Sequence, residues 1–219
     1  MRVHFQREID KLKRQILEMS ANVEEAVANA THAVETRNAV LAKSVLDHED
    51  LTNAREVDVE EECLKILALH QPVATDLRYL VAVLKINHDL ERIGDLAVHI
   101  AQSALILCDL PPVEIPLQLG EMAEKSQHML SKVLDAFVNV DVAAAREIRL
   151  ADTELDDLNR EMATRLKNEM TRRPDLLEPL LKLMHIARHL ERIGDHATNI
   201  AEDLIYLIEG KIVRHIVET

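Results

Sequence analysis

The hexapeptide LERIGD occurs twice in the chain, at residues 90–95 and again at residues 190–195. Around it, ten of the sixteen residues in 86–101 are identical to those in 186–201. Further upstream the correspondence shifts to an offset of 103 residues, which aligns Glu49 with Asp152 and Asn53 with Asp156. A chain made of two copies of one unit is expected to fold into two similar substructures, so this duplication constrains the architecture more than any local pattern.

The apolar residues of the first segment have the spacing of a helix. Steps of four and three residues alternate along Phe5, Ile9, Leu12, Ile16, Met19, Val23, Ala26, Ala30 and Ala33. Such a seam is typical of a long helix that packs against other helices. Aromatic residues make up only 2% of the chain and glycine occurs four times, so the supply of strand and hairpin residues is poor.

Breaks in the pattern divide the chain into six predicted helices. The first ends near Arg37, the second near His70, the third near Cys108, the fourth near Val138, the fifth near Thr171 and the sixth near Gly210. Three prolines in residues 109–116 cannot continue a helix and separate the two copies. The sequence therefore predicts an all-α protein of two tandem, pseudo-repeated antiparallel three-helix bundles, residues 1–110 and residues 111–219.

Composition excludes several classes of protein. The formal net charge is −13, so the chain as a whole offers no basic footprint for nucleic acid. Two cysteines without CxxC spacing indicate a reducing cytoplasm rather than a disulfide framework.

No signal-peptide core and no apolar run of about 20 residues is present, so membrane contact is expected only through partners. No motif of a catalytic nucleophile or phosphate loop appears, and we expect no catalytic residues and no enzyme.

Each LERIGD element contains a Glu and an Asp one helical turn apart. On a helical wheel, Glu91 and Asp95 lie opposite the apolar stripe of their helix, and Glu191 and Asp195 repeat that arrangement. We therefore expect both pairs to project outward from a rigid helix. A glycine within a helix costs about 1 kcal/mol relative to alanine, so Gly94 and Gly194 predict a close approach of backbone or ligand.

The second and fifth predicted helices carry matching pairs, Glu49 with Asn53 and Asp152 with Asp156. Carboxylates one turn apart repel each other, and a hard or borderline cation bridging them would offset that repulsion. Glu56 and Asn199 extend the polar stripes. The alternative interpretation, a solvated acidic face without metal, stays open for a chain with 39 acidic residues.

Three segments resemble one known family. The segments QPVATDLRYL, LERIGDLAVHIA and LERIGDHATNIAEDLI, over nearly the whole length of the chain, are similar to the PhoU family of phosphate-uptake regulators. The resemblance implies a cytoplasmic, all-helical, often homodimeric adaptor. Such an adaptor represses phosphate-starvation genes and links the ATPase of the phosphate ABC transporter to a membrane sensor histidine kinase.

The resemblance also implies metal, iron or zinc, held as single ions or multinuclear clusters on [ED]xxxD motifs. Carried onto this sequence, the ligand positions are Glu49, Asn53, Glu91, Asp95, Asp152, Asp156, Glu191 and Asp195. Asn53 departs from the pattern of acids, and His99 stands where the second copy has Asn199. Glu56, His99 and Asn199 are candidates for additional ligands.

Two other classes of function compete with the adaptor. One is a carboxylate-bridged di-metal enzyme of the ferritin-like kind, which requires Glu and Glu-x-x-His pairs that project into a bundle. Neither LERIGD element contains that pair. The other is a purely structural bundle whose acids only confer solubility.

Overall fold

A computed structural model describes residues 2–210, and within this range the chain contains helices and no strand. The helices are α1 (Arg2–Thr36), α2 (Ala39–Asp47), α3 (Glu49–His70), α4 (Ala74–Asp109), α5 (Leu117–Asn139), α6 (Val142–Arg172) and α7 (Leu177–Glu209), with a 3-10 turn at Pro174–Leu176. The predicted all-α class is confirmed. None of these helices combines the length and the apolar character that a membrane span needs.

The predicted second helix is two helices, α2 and α3, which meet at His48. The His48 Nδ1 atom lies 2.6 Å from the carbonyl oxygen of Ser44, and that oxygen is the acceptor that the backbone N–H of His48 would use in a continuous helix. The backbone N–H bonds to the Val45 carbonyl instead, at 3.3 Å. Because the side chain competes with the backbone for this acceptor, the helix ends here.

The other breaks follow from local capping. The Asn38 side-chain oxygen accepts hydrogen bonds from the backbone N–H groups of Val40 and Leu41, which begins α2. The Asp141 side chain caps α6 through the backbone N–H of Ala144 in the same way. Gly210 has φ of 69° and ends α7 in the left-handed conformation, as the sequence predicts.

The two copies of the LERIGD helix pack against each other in antiparallel fashion. Near the start of α4, Lys85 pairs with Asp203 near the end of α7, at 3.0 Å. Further along α4, the ring of His99 stacks on His189 with centroids 5.3 Å apart. Residue numbers therefore rise along α4 as they fall along α7. The packing joins the repeats, because buried residues of all seven helices form one continuous core.

Both LERIGD glycines lie where a neighbouring helix comes close. A Cβ atom added to Gly94 would lie 3.2 Å from Thr52 Cγ2 on α3, and one added to Gly194 would lie 2.4 Å from Leu155 Cδ2 on α6. The groups that come close are side chains of the neighbouring helices rather than the backbone or ligand that the sequence predicts. The glycines let α3 and α6 approach the acid-bearing face of α4 and α7.

This packing predicts the effect of substituting Gly194. The Gly194→Ala variant gains helix propensity of about 1 kcal/mol, but its methyl group overlaps the fully buried Leu155. Because overpacking a core destabilises it by about 1–3 kcal/mol, we expect a net loss of up to about 2 kcal/mol in the free energy of unfolding. Urea unfolding monitored by circular dichroism measures this loss.

Gly120 provides the matched control, because no atom would lie within 4 Å of an added Cβ there. The Gly120→Ala variant is expected to be up to about 1 kcal/mol more stable than the wild type. A Gly194→Ala protein as stable as the Gly120→Ala protein would contradict the close-approach role of Gly194.

Candidate metal centres

Four carboxylates gather where α6 and α7 meet; we call this cluster the second centre. It consists of Asp152 and Asp156 on α6 with Glu191 and Asp195 on α7. Asp152 Oδ1 is 3.6 Å from the Cβ position of Gly194, so the glycine contact brings the two acid pairs together. Burial, and then the negative charges of Asp195 and Asp156, raise the pKa of Asp152 to about 6.

The two acids on α7 share this environment. Burial, followed by the charges of Asp195 and Asp156, raises the pKa of Glu191. Asp195 keeps an exposed edge, yet surrounding protein atoms and the charge of Asp156 still raise its pKa. None of the salt bridges formed within residues 2–210 includes any of these four carboxylates. The second centre therefore concentrates negative charge, and burial with the like charges outweighs Arg188, Arg192 and His196, which act to lower the pKa values of Glu191 and Asp195.

A counterpart of this cluster lies on α3 and α4 of the first repeat; we call it the first centre. It consists of Glu49 and Asn53 on α3 with Glu91 and Asp95 on α4. Burial is the main cause that raises the pKa of Glu91, and the charges of Asp95 and Glu56 add to it. Arg92 lies 3.4 Å from Glu91 and 3.5 Å from Asp95. Because Arg92 is half exposed, these pairs contribute little to stability.

A cavity joins the two half-sites of the first centre. Glu49 and Asn53 from α3 line it together with Gly94 and Asp95 from α4, and its volume is about 200 Å³. The remaining polar residues of its wall are Asn22, Glu25, Asn29, Ser44, His48 and Thr52. The cavity therefore places Glu49 and Asn53 of α3 beside Asp95 of α4, whereas Glu91 lies outside its wall.

The outward projection expected of the LERIGD acids is wrong in part. Glu91, Asp95 and Glu191 are only partly exposed and lie in grooves between helices. A helical wheel assigns one core face to a helix, whereas α4 and α7 each contact helices on several sides. The acids therefore border the core, which explains why burial is the first cause that raises the pKa values of Glu91 and Glu191.

Two of the additional candidates lie at the seam between α4 and α7. His99 stacks on His189, and burial together with His99 lowers the pKa of His189 to about 4. The Asn199 side chain donates a hydrogen bond of 3.4 Å to Asp89. Asn199 also lines a second cavity with Asp152 and Asp195, so it borders both the seam and the second centre.

Sequence reasoning missed the polar contacts of this seam. Asp89 is only 8% exposed, and its carboxylate lies 2.8 Å from His196 Nδ1 of the other repeat. A signal was present, because Asn87 and Asp89 interrupt an otherwise apolar stretch of α4 and are both buried. The partners of Asp89, however, are His196 and Asn199, which lie 107 and 110 residues away along the chain.

The donor chemistry of both centres suits a divalent cation. Carboxylates crowded by like charges gain from a shared cation, which would supply the missing positive charge. Across residues 2–210, however, no group of three or more His, Cys, Asp or Glu side chains is placed to hold a metal ion. Metal binding at the eight positions therefore stays a prediction.

The raised pKa of Asp152 predicts a pH-dependent stability of the metal-free protein. In the unfolded chain Asp152 ionises near pH 3.9, whereas in the folded protein its pKa is about 6. The folded state therefore holds the proton more strongly, and its stability falls as the pH rises from about 4 to about 6. Replacing Asp152 by Asn removes that loss.

We expect Asp152→Asn to raise the free energy of unfolding by about 1–2 kcal/mol at pH 7.5, and by less than about 0.5 kcal/mol at pH 4. Urea unfolding with a chelator present measures both values. The exposed Asp157 on the same helix is the control, and its Asn variant should change stability little at either pH. A destabilised Asp152→Asn protein at pH 7.5 would mean that favourable contacts hold the carboxylate.

Comparison with known proteins places this arrangement in a family. The PhoU domain model matches twice, over residues 16–104 and residues 119–204. The "Phosphate-specific transport system accessory protein PhoU homolog" of Aquifex aeolicus is 36% identical over 209 residues, which cover 95% of each chain. The accessory protein PhoU of Escherichia coli is 32% identical over 216 residues, covering 97% of this chain and 88% of the relative.

Solved structures agree with the sequence matches. The crystal structure of PhoU from Pseudomonas aeruginosa superposes with a TM-score of 0.92 at 34% identity, covering 94% of this chain and 100% of that one. The phosphate transport system regulatory protein PhoU from Streptococcus pneumoniae gives 0.87 at 27% identity, covering 98% and 100%. Two domain matches, full-length relatives and a shared fold establish that the chain belongs to the PhoU family.

Proposed function

We propose that the protein is an accessory and negative regulator of a phosphate transport system. The observation that carries this proposal is the full-length match to relatives named as phosphate-specific transport system accessory proteins. The match includes both repeats and extends to the fold. A bundle of long helices with one continuous core is suited to a rigid scaffold that presents surfaces to other proteins.

Its role is that of a cytoplasmic adaptor between two membrane systems. On one side it contacts the ATPase of the phosphate ABC transporter, and on the other it contacts the sensor histidine kinase of phosphate-starvation signalling. Large apolar side chains exposed on several helices, including Val40, Leu69, Leu117 and Leu150, support contacts with partners or within a homodimer. The net charge of −13 argues against direct binding to nucleic acid.

The acid clusters hold metal in this proposal. The ligands come from Glu49, Asn53, Glu91 and Asp95 in the first centre and from Asp152, Asp156, Glu191 and Asp195 in the second. Iron or zinc is the proposed ion, singly or in a multinuclear cluster. The raised pKa values at both centres support it, because a cation would relieve the repulsion that raises them.

Metal retention tests the centres directly. The double variant Glu191→Ala/Asp195→Ala removes both α7 carboxylates of the second centre and should lose about half of the iron or zinc that the wild type retains through purification. Inductively coupled plasma mass spectrometry of the purified proteins measures the metal content. A double variant of exposed acids away from the centres, Glu121→Ala/Glu124→Ala, is the matched control and should retain all of it. Equal metal content in the three proteins would refute the second centre.

A genetic experiment tests the regulatory role. Deleting the gene should derepress phosphate-starvation promoters in high phosphate, and expression of the wild-type chain should restore repression. Promoter fusions to a reporter enzyme measure both effects. Unchanged repression in the deletion strain would exclude the adaptor role, whatever the metal content of the protein.

The proposal includes no catalytic turnover. The acids of the LERIGD elements are partly or fully exposed, and neither element contains the Glu-x-x-His pair that a di-metal core of four helices requires. The iron-loaded protein should therefore show no oxygen-dependent change in absorbance, and such a change would favour the di-metal enzyme instead.

A further inference from the structure

The side of α3 that faces away from the core carries apolar side chains that no described helix covers. The core side of α3 buries Val59, Cys63 and Ile66 against its neighbours. On the opposite side of a helical wheel, five exposed residues follow one another at steps of three, four, three and four; we call them the outer face of α3: Ala54, Val57, Glu61, Leu64 and Ala68. The side chain of Val57 is 49% exposed and that of Leu64 is 53% exposed.

The matching face of α6 shows that the fold does not require apolar residues there. At the repeat offset of 103 residues, three buried pairs align the two helices: Thr52 with Leu155, Val59 with Met162 and Cys63 with Leu166. In the same alignment the outer positions of α6 are all exposed and polar: Asp157, Arg160, Thr164, Lys167 and Thr171. Because a solvated helix face is normally polar, the apolar outer face of α3 indicates a contact that α6 does not make.

Negative charge borders this apolar face on both sides. Asp58 and Glu60 flank it, and Glu61 lies within it. None of these three carboxylates forms an ion pair with another residue in the range 2–210. The nearby Lys65 ammonium does not neutralise them, because it lies 2.9 Å from the buried Glu62 and pairs with that carboxylate.

The spacing of the outer face selects a helix as its occupant. Apolar residues at alternating steps of three and four are the positions through which one helix packs its side chains between those of another. Two such repeats from Ala54 to Ala68 cover about 21 Å at 1.5 Å per residue. Charges beside such a face determine which helix pairs with it, so Asp58 and Glu60 favour a helix flanked by Lys or Arg.

A second copy of this chain fits the outer face poorly through either of the matching helices. Two α3 helices packed in antiparallel fashion about Glu61 would bring the two Glu61 carboxylates together, and like charges across a contact oppose association. The α6 helix of a second copy would supply Arg160 and Lys167 but no apolar side chain to cover Leu64. The chemistry of the outer face therefore favours a different protein.

We propose that the outer face of α3 docks a basic amphipathic helix of a partner protein. Val57 and Leu64 pack against the apolar residues of that helix, while Asp58 and Glu61 pair with its Lys and Arg side chains. Such a contact deepens the proposed adaptor role, on which the inference rests, because it gives one partner a surface on the first repeat alone.

Two synthetic peptides test this chemistry on the full chain. Both have three heptads with Leu at the apolar positions, flanked by Lys in one peptide and by Glu in the other. Fluorescence anisotropy should show binding of the Lys peptide, and Val57→Ser/Leu64→Ser should weaken it at least about tenfold. The control Val40→Ser/Leu150→Ser makes the same chemical changes at exposed positions of α2 and α6 and should leave the affinity unchanged. Equal affinity in all three proteins would overturn the proposal.

Charge reversal separates docking from a general attraction between a basic peptide and an acidic chain. Asp58→Lys/Glu61→Lys should reverse the preference, so that the Glu peptide binds more tightly than the Lys peptide. Glu121→Lys/Glu124→Lys changes the net charge by the same amount at exposed positions of α5 and should keep the preference for Lys. If the two variants behave alike, the attraction is not specific to α3 and the proposal is wrong.

Two further measurements distinguish the other outcomes. If Val57→Ser/Leu64→Ser dissociates a wild-type dimer in sedimentation velocity, the outer face is an interface between copies of this chain and the proposal is overturned. In cells, the same variant should derepress phosphate-starvation promoters in high phosphate, whereas the Val40→Ser/Leu150→Ser control should repress them.

The docking surface and the adaptor role fail in different ways in this cellular experiment. Full repression by Val57→Ser/Leu64→Ser, in a strain where gene deletion derepresses, would reject the docking surface and leave the adaptor role intact. Unchanged repression after deletion would reject the adaptor role itself. Equal helix content of all variants by circular dichroism ensures that a lost contact is not a lost fold.

Discussion

The antiparallel packing of α4 on α7 is the interaction on which the rest of the molecule depends. Lys85 is nine residues before Gly94, and its partner Asp203 is nine residues after Gly194. His99 and His189 are five residues from the same two glycines, in opposite directions. The contacts are therefore arranged about a pseudo-twofold axis near the glycines. Each LERIGD helix uses one side for the other repeat and another side for its own α3 or α6.

That double use explains why the acid clusters form where they do. A glycine on the remaining side lets α3 or α6 approach. In the second repeat the Asp next to the glycine and the Glu three residues before it then meet carboxylates of the approaching helix. Like charges held together and shielded from water raise each other's pKa, so each centre opposes folding at neutral pH. The buried apolar core supplies the stability that offsets this strain. Residues that oppose folding are a common signature of binding sites.

Much of this could be predicted from the sequence, because it depends on local periodicity and on the duplication. The helices other than the second, the proline joint and the helix-ending Gly210 follow from such patterns and are confirmed. The crowding at Gly94 and Gly194 comes from side chains of α3 and α6 rather than from backbone or ligand. The helical wheel did not predict how deeply Glu91 and Glu191 are buried, because it takes no account of the number of helices that surround α4 and α7. The break at His48 and the Asp89–His196 contact were also missed. The first depends on a single side chain that competes for one carbonyl, and the second joins residues far apart in sequence.

The covalent link between the repeats has a consequence for how the two acid clusters can diverge. If each repeat were a separate subunit, the α4–α7 contact would be a homodimer interface, and every substitution would appear on both sides of its axis. In a single chain the same interface forms between unequal halves, independent of protein concentration. One half can therefore carry His48 and Asn53 while the other keeps Asp156, and His99 can face His189 at one end of the seam while Asn199 faces Asp89 at the other. The molecule combines the geometry of a symmetric dimer with two chemically different halves, so a partner can distinguish one half from the other.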